Sequence, residues 1–118
     1  MTLQEFQALT ARNRLTLIDF YATWCGPCRA VHPVLDVVEE RMHEIVDVVR
    51  LDVDRFENAD LVNHFRVMSV PTLMLFHHDH LLWRNSGVVS FDALSEVLRR
   101  LIVWRATEQV PYATPSPP

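Results

Sequence analysis

The spacing of hydrophobic residues changes several times along the chain, and each change marks a new element. Thr2 and Glu5 have the spacing of a capping box, which predicts a short helix after them. Leu15–Tyr21 is a nearly continuous apolar run, as expected of a central strand covered on both faces. From Pro27 to about His43, apolar residues recur at helical spacing, which predicts an amphipathic helix.

The second half of the chain continues the alternation and then departs from it. The remaining predicted elements are a strand at Val46–Val53, a helix capped by Asn58, strands at Thr72–Phe76 and Leu81–Arg84, and a last helix opened by Ser90. The two later strands follow each other closely and are predicted to form a hairpin. This order of elements favours an α/β sandwich with a mixed sheet.

Two cysteines, Cys25 and Cys28, lie between the first predicted strand and the long helix, and the chain has no others. Residues three apart on a helix are neighbours, and one helical turn supplies the Cα separation that a disulfide needs. If Cys25 caps the helix, Gly26 and Pro27 occupy its first turn, where proline is tolerated because its missing N–H would have no helical partner. The spacing therefore indicates dithiol–disulfide chemistry.

The helix start also predicts an order of attack. A thiolate on Cys25 would meet the N–H of Cys28 and the positive end of the helix dipole, so we expect it to ionise more easily than a free cysteine. Cys25 is the predicted nucleophile. Cys28 lies one turn inside the helix and is predicted to resolve the mixed disulfide that Cys25 forms.

Composition sets limits that agree with a small redox protein. The 118 residues are expected to form mainly one domain, and the formal charge of -4 has no basic block that would bind nucleic acid. No stretch has the pattern of a signal peptide or the length of a membrane span, so we expect no membrane association and a cytoplasmic location. Thiols stay reduced there, and a close pair is more often catalytic or metal-binding than structural.

The segment Asp19–Cys28 resembles the active site of the thioredoxin family, and the resemblance covers about residues 2–102. Further matches are Pro33, Arg50–Asp54, Val70–Thr72 and Gly87. It implies a thioredoxin-like α/β fold, with a mixed sheet of about four strands flanked by helices and the family's usual first strand missing. We expect a domain at residues 1–104 and a flexible, proline-rich tail at residues 105–118.

The resemblance also implies an activity: reduction of disulfides in client proteins through a Cys25/Cys28 cycle, with no bound cofactor and no metal. A thioredoxin reductase that consumes NADPH would reset the pair. We expect a monomer, although the sheet edge left by a missing strand could pair with another chain. The tail could instead select one client, which would make the protein a partner-specific reductase.

The same resemblance assigns roles to residues outside the cysteine loop. Asp19 would act through water as general base or acid for Cys28, unless it merely faces solvent. The Val70–Pro71 bond would be cis, and the backbone of Val70 would bind an extended client chain. Trp24 and Gly87 would line a shallow apolar groove with that pair, although Trp24 could be only a packing residue.

Basic and metal-binding side chains leave further alternatives open. Arg50 matches the position of a family lysine, and it could tune Asp19 or point its head to water. His32 could join Cys25 and Cys28 as a third zinc ligand, which would favour a zinc-binding or scaffold module without turnover. The cluster His77–His80 is predicted to be a solvated hairpin tip.

Overall fold

A computed structural model describes the backbone of residues 1–108 and the side chains of residues 1–104. The elements are α1 (Leu3–Thr10), β1 (Leu15–Tyr21), α2 (Gly26–Met42), β2 (Val46–Asp52), α3 (Ala59–His64), β3 (Thr72–His77), β4 (His80–Ser86) and α4 (Phe91–Glu108). A short 3-10 helix at Phe56–Asn58, which the sequence did not predict, precedes α3. Residues 1–88 form one compact unit, and the chain from Val89 onward forms another.

The four strands form one mixed sheet, as predicted, and their order is β2-β1-β3-β4. β1 runs parallel to β2 and antiparallel to β3, and β3 and β4 form the antiparallel hairpin. β1 is central, which explains why its apolar run is nearly continuous: six of its seven residues are buried. In this register Asp19 lies between Arg50 of β2 and Leu73 of β3.

One face of the sheet carries an aromatic cluster that joins the strands to α1 and α3. The buried members are Phe6, Ile18, Phe20, Leu51, Leu61, Met74 and Phe76. Phe6 meets the rings of Phe65 and Phe76 edge to face, with centroid distances of 5.1 and 4.8 Å. On the other face α2 contacts β2. This second layer places the start of α2, with its cysteines, at the end of the central strand.

The helix caps agree with the sequence only in part. Thr2 and Glu5 form the predicted capping box of α1, and Ser90 Oγ accepts a hydrogen bond from the N–H of Ala93. Asn58 occupies the predicted N-cap position of α3, but its side chain makes no capping hydrogen bond. Its amide is used elsewhere: Oδ1 accepts from the Met1 ammonium, and Nδ2 donates to the carbonyl of Asp52.

The last helix, α4, buries Leu94, Leu98 and Leu101 along one stripe at helical spacing. It continues to Glu108 and so extends past residue 105, where the sequence placed the start of the tail. The rest of the predicted tail, residues 109–118, lies outside the described residues. None of the helices in the described part of the chain is long and apolar enough to cross a membrane.

The aromatic cluster predicts a large difference between two phenylalanines. Phe6 is 4% exposed and Phe56 is 91% exposed. Phe6→Ala should lower the free energy of unfolding by about 3–5 kcal/mol, because it removes buried surface and leaves a cavity. Phe56→Ala should change it by less than about 0.5 kcal/mol. Urea denaturation of both variants measures this, and equal losses would show that the cluster does not hold α1 to the sheet.

Candidate active site

The cysteine loop connects the end of β1 to the start of α2. Cys25 has extended backbone angles and is the N-cap of α2, and its Sγ accepts a hydrogen bond of 3.1 Å from the N–H of Cys28. Pro27 lies in the first turn, where no helical partner is lost. The two cysteines form a disulfide, and their Cα atoms are 5.3 Å apart, within the usual range.

Both sulfurs are shielded in this oxidised form. Cys25 and Cys28 are buried, whereas Gly26 and Pro27 between them are exposed. The two cysteines therefore hardly differ in exposure in the disulfide state. Sγ of Cys25 lies 3.7 Å from the carbonyl oxygen of Val70, which brings the Val70–Pro71 segment beside the disulfide.

The segment around Pro71 is tied to the end of β4. The Val70–Pro71 peptide bond is cis, the geometry that the family resemblance implied. The carbonyl of Pro71 accepts a 2.9 Å hydrogen bond from the N–H of Gly87. Gly87 has a φ of 103°, a conformation that residues with a Cβ rarely adopt, which explains the glycine there. Val70, Pro71 and Gly87 are thus brought to the cysteine loop as a group.

An apolar groove of about 230 Å³ opens beside the cysteine loop. It is lined by Trp24, Val53, Val62, Val67, Met68, Ser69 and Val70. Pro71 and Gly87 do not line it, although the sequence grouped them with Trp24. Trp24 and Met68 are large and exposed, at 70% and 89%. The indole N–H of Trp24 donates to Asp54 at 2.8 Å, so the exposed ring is held in place.

Asp19 is completely buried on β1, which rules out the alternative that it faces solvent. Neither of its oxygens accepts a hydrogen bond from any residue that the structure describes. Burial raises the pKa of this carboxyl to about 6, although the positive charges of His32 and Arg50 favour its ionised form. A carboxyl with a pKa of about 6 can take or give a proton near neutral pH.

Arg50 is next to Asp19 in the sheet, but its guanidinium hydrogen-bonds elsewhere. It donates to Asp36 at 2.7 Å and also to Glu39, both on α2. Burial lowers the pKa of Arg50, but these hydrogen bonds and charges outweigh it and leave the pKa raised. Arg50 therefore neither points freely to water nor hydrogen-bonds to Asp19.

His32 lies closer to Asp19 than the sequence suggested. Its Nδ1 is 3.9 Å from Asp19 Oδ2 and 3.2 Å from an Arg50 nitrogen, and its ring meets Tyr21 edge to face. Sequence reasoning linked His32 only to the cysteines. The position of His32 could have indicated this contact, because it lies four residues after Cys28 and so shares with it the face of α2 that covers the sheet.

In the described part of the chain, no three His, Cys, Asp or Glu side chains are placed so that they could bind one metal ion. The hairpin-tip prediction is right for His78, Asp79 and His80, which are exposed. It is wrong for His77, which is buried at the end of β3 with its ring nitrogen 3.2 Å from Asn13 Oδ1. The strand extends one residue further than predicted and carries that ring inward.

Comparison with known proteins agrees with this geometry. The family model for thioredoxin matches residues 1–100. A thioredoxin of Listeria monocytogenes is 40% identical over 88 residues, covering 75% of this chain and 84% of that protein. A bifunctional thioredoxin reductase/thioredoxin of Mycobacterium leprae is 41% identical over 89 residues, covering 75% of this chain and 19% of that protein.

Solved structures show the same fold. The oxidised form of mitochondrial thioredoxin 3 from Saccharomyces cerevisiae has a TM-score of 0.71 and 34% sequence identity, and the match covers 82% of this chain and 88% of that one. The family match, the fold and the Cys25–Cys28 disulfide agree with one another. The chain belongs to the thioredoxin family of thiol–disulfide oxidoreductases, whose redox-active group is a disulfide.

Proposed function

We propose that this protein-disulfide reductase uses Cys25 as its attacking thiol and Cys28 as its resolving thiol. The observation that carries the proposal is the hydrogen bond from the Cys28 N–H to Cys25 Sγ at the start of α2. In the reduced protein this donor and the helix dipole stabilise a thiolate on Cys25. Cys28 has no equivalent position, because it lies inside the first turn.

The cycle transfers two electrons to the client. The Cys25 thiolate attacks one sulfur of the client disulfide, so a mixed disulfide forms and the client's other sulfur leaves as a thiolate. The Cys28 thiolate then attacks Cys25 Sγ, which forms the Cys25–Cys28 disulfide and releases the second client thiolate. Two protons complete the client dithiol. The described structure corresponds to the oxidised end of this cycle.

Asp19 is proposed to accept the proton of Cys28 through a water molecule before the second attack. Its support is the raised pKa of about 6 and the absence of a fixed hydrogen-bond partner among the described residues. Cys28 and His32 are one turn apart on α2, and His32 lies 3.9 Å from Asp19. The carboxyl is therefore beneath the face of α2 that carries Cys28.

The client is proposed to bind along the groove between Trp24 and Met68, and the backbone of Val70 would pair with its extended chain. This puts a client sulfur beside Cys25, because the carbonyl of Val70 is 3.7 Å from Cys25 Sγ. Pro71 and Gly87 would hold Val70 in position through their hydrogen bond.

The oxidised pair is proposed to be reset by a flavin-dependent thioredoxin reductase that consumes NADPH. The name of the Mycobacterium leprae relative, which joins reductase and thioredoxin, supports such a partner. We further propose a monomer that acts in cell redox homeostasis in the cytoplasm, where thiols are kept reduced.

Serine variants test the order of attack. Cys25→Ser should abolish reduction of a disulfide-bonded test protein by dithiothreitol, because no mixed disulfide can form. Cys28→Ser should instead accumulate a covalent adduct that non-reducing electrophoresis detects. The wild type serves as the control, and identical behaviour of the two variants would contradict the assigned order.

Asp19→Asn should separate stability from activity. The rise in pKa from 3.8 to about 6 corresponds to about 3 kcal/mol, which favours the protonated folded state. This stability is present below pH 4 and is lost as pH rises through about 6. The variant should therefore be more stable than wild type at pH 8 by up to about 3 kcal/mol, with little difference at pH 4.

Urea denaturation at both pH values measures this, and Glu40→Gln is the matched control because Glu40 is an exposed carboxylate on α2. The control should leave the pH dependence unchanged. The same Asp19→Asn protein should resolve mixed disulfides slowly. An equal stability difference at pH 4 and pH 8 would show that the fold does not raise the pKa of Asp19.

Met68→Ser tests the groove. Partial burial of the thioether chain against a client is worth on the order of 1 kcal/mol, so KM for a protein disulfide should rise about fivefold. A small aromatic disulfide that cannot reach Met68 should react at the wild-type rate. Phe56→Ala, exposed but outside the groove, is the control. Equal loss on both substrates would place Met68 outside the client site.

A further inference from the structure

A proton that reaches Asp19 needs a way out, because the carboxyl has no surface exposed to bulk water. The positive groups that act on it are His32 on α2 and Arg50 on the neighbouring strand β2. Tyr21, two residues further along β1, packs against the ring of His32. His32 and Arg50 are therefore the two side chains to compare as carriers of the proton.

Arg50 is a poor carrier for the Asp19 proton. Its guanidinium stays protonated at every physiological pH and so cannot accept a proton. It is also held by Asp36 and by Glu39 on α2. Its contribution near Asp19 is therefore a fixed positive charge.

His32 has the geometry that Arg50 lacks. Its Nδ1 lies 3.9 Å from Asp19 Oδ2, and its side chain is 31% exposed, whereas that of Asp19 is 0% exposed. An approach of about 1 Å would bring the two atoms within hydrogen-bonding distance. The edge-to-face contact with Tyr21, at 5.3 Å between centroids, orients the ring. His32 thus reaches from the buried carboxyl to the surface.

We propose that His32 is a positioning residue that acts through Asp19 and carries the Asp19 proton to water. The inference rests on the proposed role of Asp19 as the base for Cys28. First, the proton of Cys28 passes through water to the Asp19 carboxylate, which leaves a Cys28 thiolate. Second, the carboxylic acid gives this proton to Nδ1 of His32. Third, Nε2–H of the imidazolium releases a proton to bulk water, and exchange with water then returns the remaining proton from Nδ1 to Nε2.

The surroundings of His32 favour passage of the proton over retention. At 3.2 Å from Nδ1, Arg50 must be the donor, so Nδ1 carries no proton in this arrangement. The approach of about 1 Å toward Asp19 would exchange the Arg50 hydrogen bond for one from the Asp19 carboxyl. An imidazolium would be repelled by the Arg50 guanidinium, whereas Asp36 and Glu39, which pair with Arg50, are 67% and 50% exposed and so are screened by water; this favours release of the proton.

The test follows one step, the decay of the mixed disulfide, after reduced protein is mixed with a disulfide-bonded test protein and quenched with acid at intervals. His32→Ala should slow this decay by about tenfold, a modest part of what positioned proton transfer contributes. First attack by Cys25 should proceed at the wild-type rate. The acidic limb of the pH profile should move to higher pH, because the positive charge of His32 favours ionised Asp19.

Added imidazole distinguishes proton transfer from a merely structural role. It should restore the decay rate of His32→Ala, since the deleted ring leaves a half-exposed site beside Asp19, and it should not accelerate the wild type. His32→Asn repeats the measurement with a polar side chain of similar shape. His43→Ala, at the other end of α2 and exposed, is the matched control and should behave as wild type.

The outcomes distinguish the His32 relay, the base role of Asp19 and the reductase activity. Slow decay in Asp19→Asn with no further loss in Asp19→Asn/His32→Ala supports action through Asp19. Wild-type decay in both His32 variants overturns the relay while leaving the reductase activity intact. Wild-type decay in Asp19→Asn overturns the relay and the base role together. A wild type that forms no mixed disulfide would instead overturn the proposed function.

Discussion

The start of α2 is the feature on which the site depends. A sulfur takes the capping position where helices usually place a serine, threonine or aspartate oxygen, and Cys25 accepts the N–H of Cys28 there. Sulfur is a weaker acceptor than oxygen, so the cap adds little to helix stability. The sulfur matters at this position because it can carry a negative charge. The contact that begins the helix is also the one that would stabilise the proposed nucleophile.

This helix start is held in place by the sheet behind it. β1 is the central strand and ends at Tyr21, four residues before the cap, so the loop has little freedom. Val70 reaches the sulfur from the other side, and its neighbour Pro71 is anchored by Gly87 at the end of β4. The end of β1 thus leads into the disulfide loop, and the start of β3, anchored to the end of β4, lies beside it. A loop alone could bring two cysteines together, but it could not place beside them the segment proposed to bind the client.

Much of this arrangement follows from sequence pattern. The bounds of β1 match the apolar run, and the capping box of α1 is formed as its spacing predicts. Cys25 as a helix cap follows from its position before Gly26 and Pro27. These features are local, or depend on periodicity, and local features are what a single sequence reports best.

The remaining features depend on contacts between distant elements. The family resemblance implies that Arg50 lies near Asp19, but it does not show that Asp36 and Glu39 hold the guanidinium. The approach of His32 to Asp19 depends in the same way on how α2 lies over the sheet. Asn58 shows the same dependence on distant contacts. Its side chain is suited to capping, but it hydrogen-bonds to Met1 and Asp52, which lie outside its helix.

A carboxylate buried without a fixed partner has a consequence for protein engineering. Screens that reward resistance to heat or denaturant favour substitutions that remove the unsatisfied charge of Asp19. With Asp19 in its proposed role, such a screen would enrich stable proteins that turn over slowly, whereas a screen on turnover would keep the buried carboxyl. Libraries of this chain therefore need both selections in parallel, because optimising folding alone works against the chemistry.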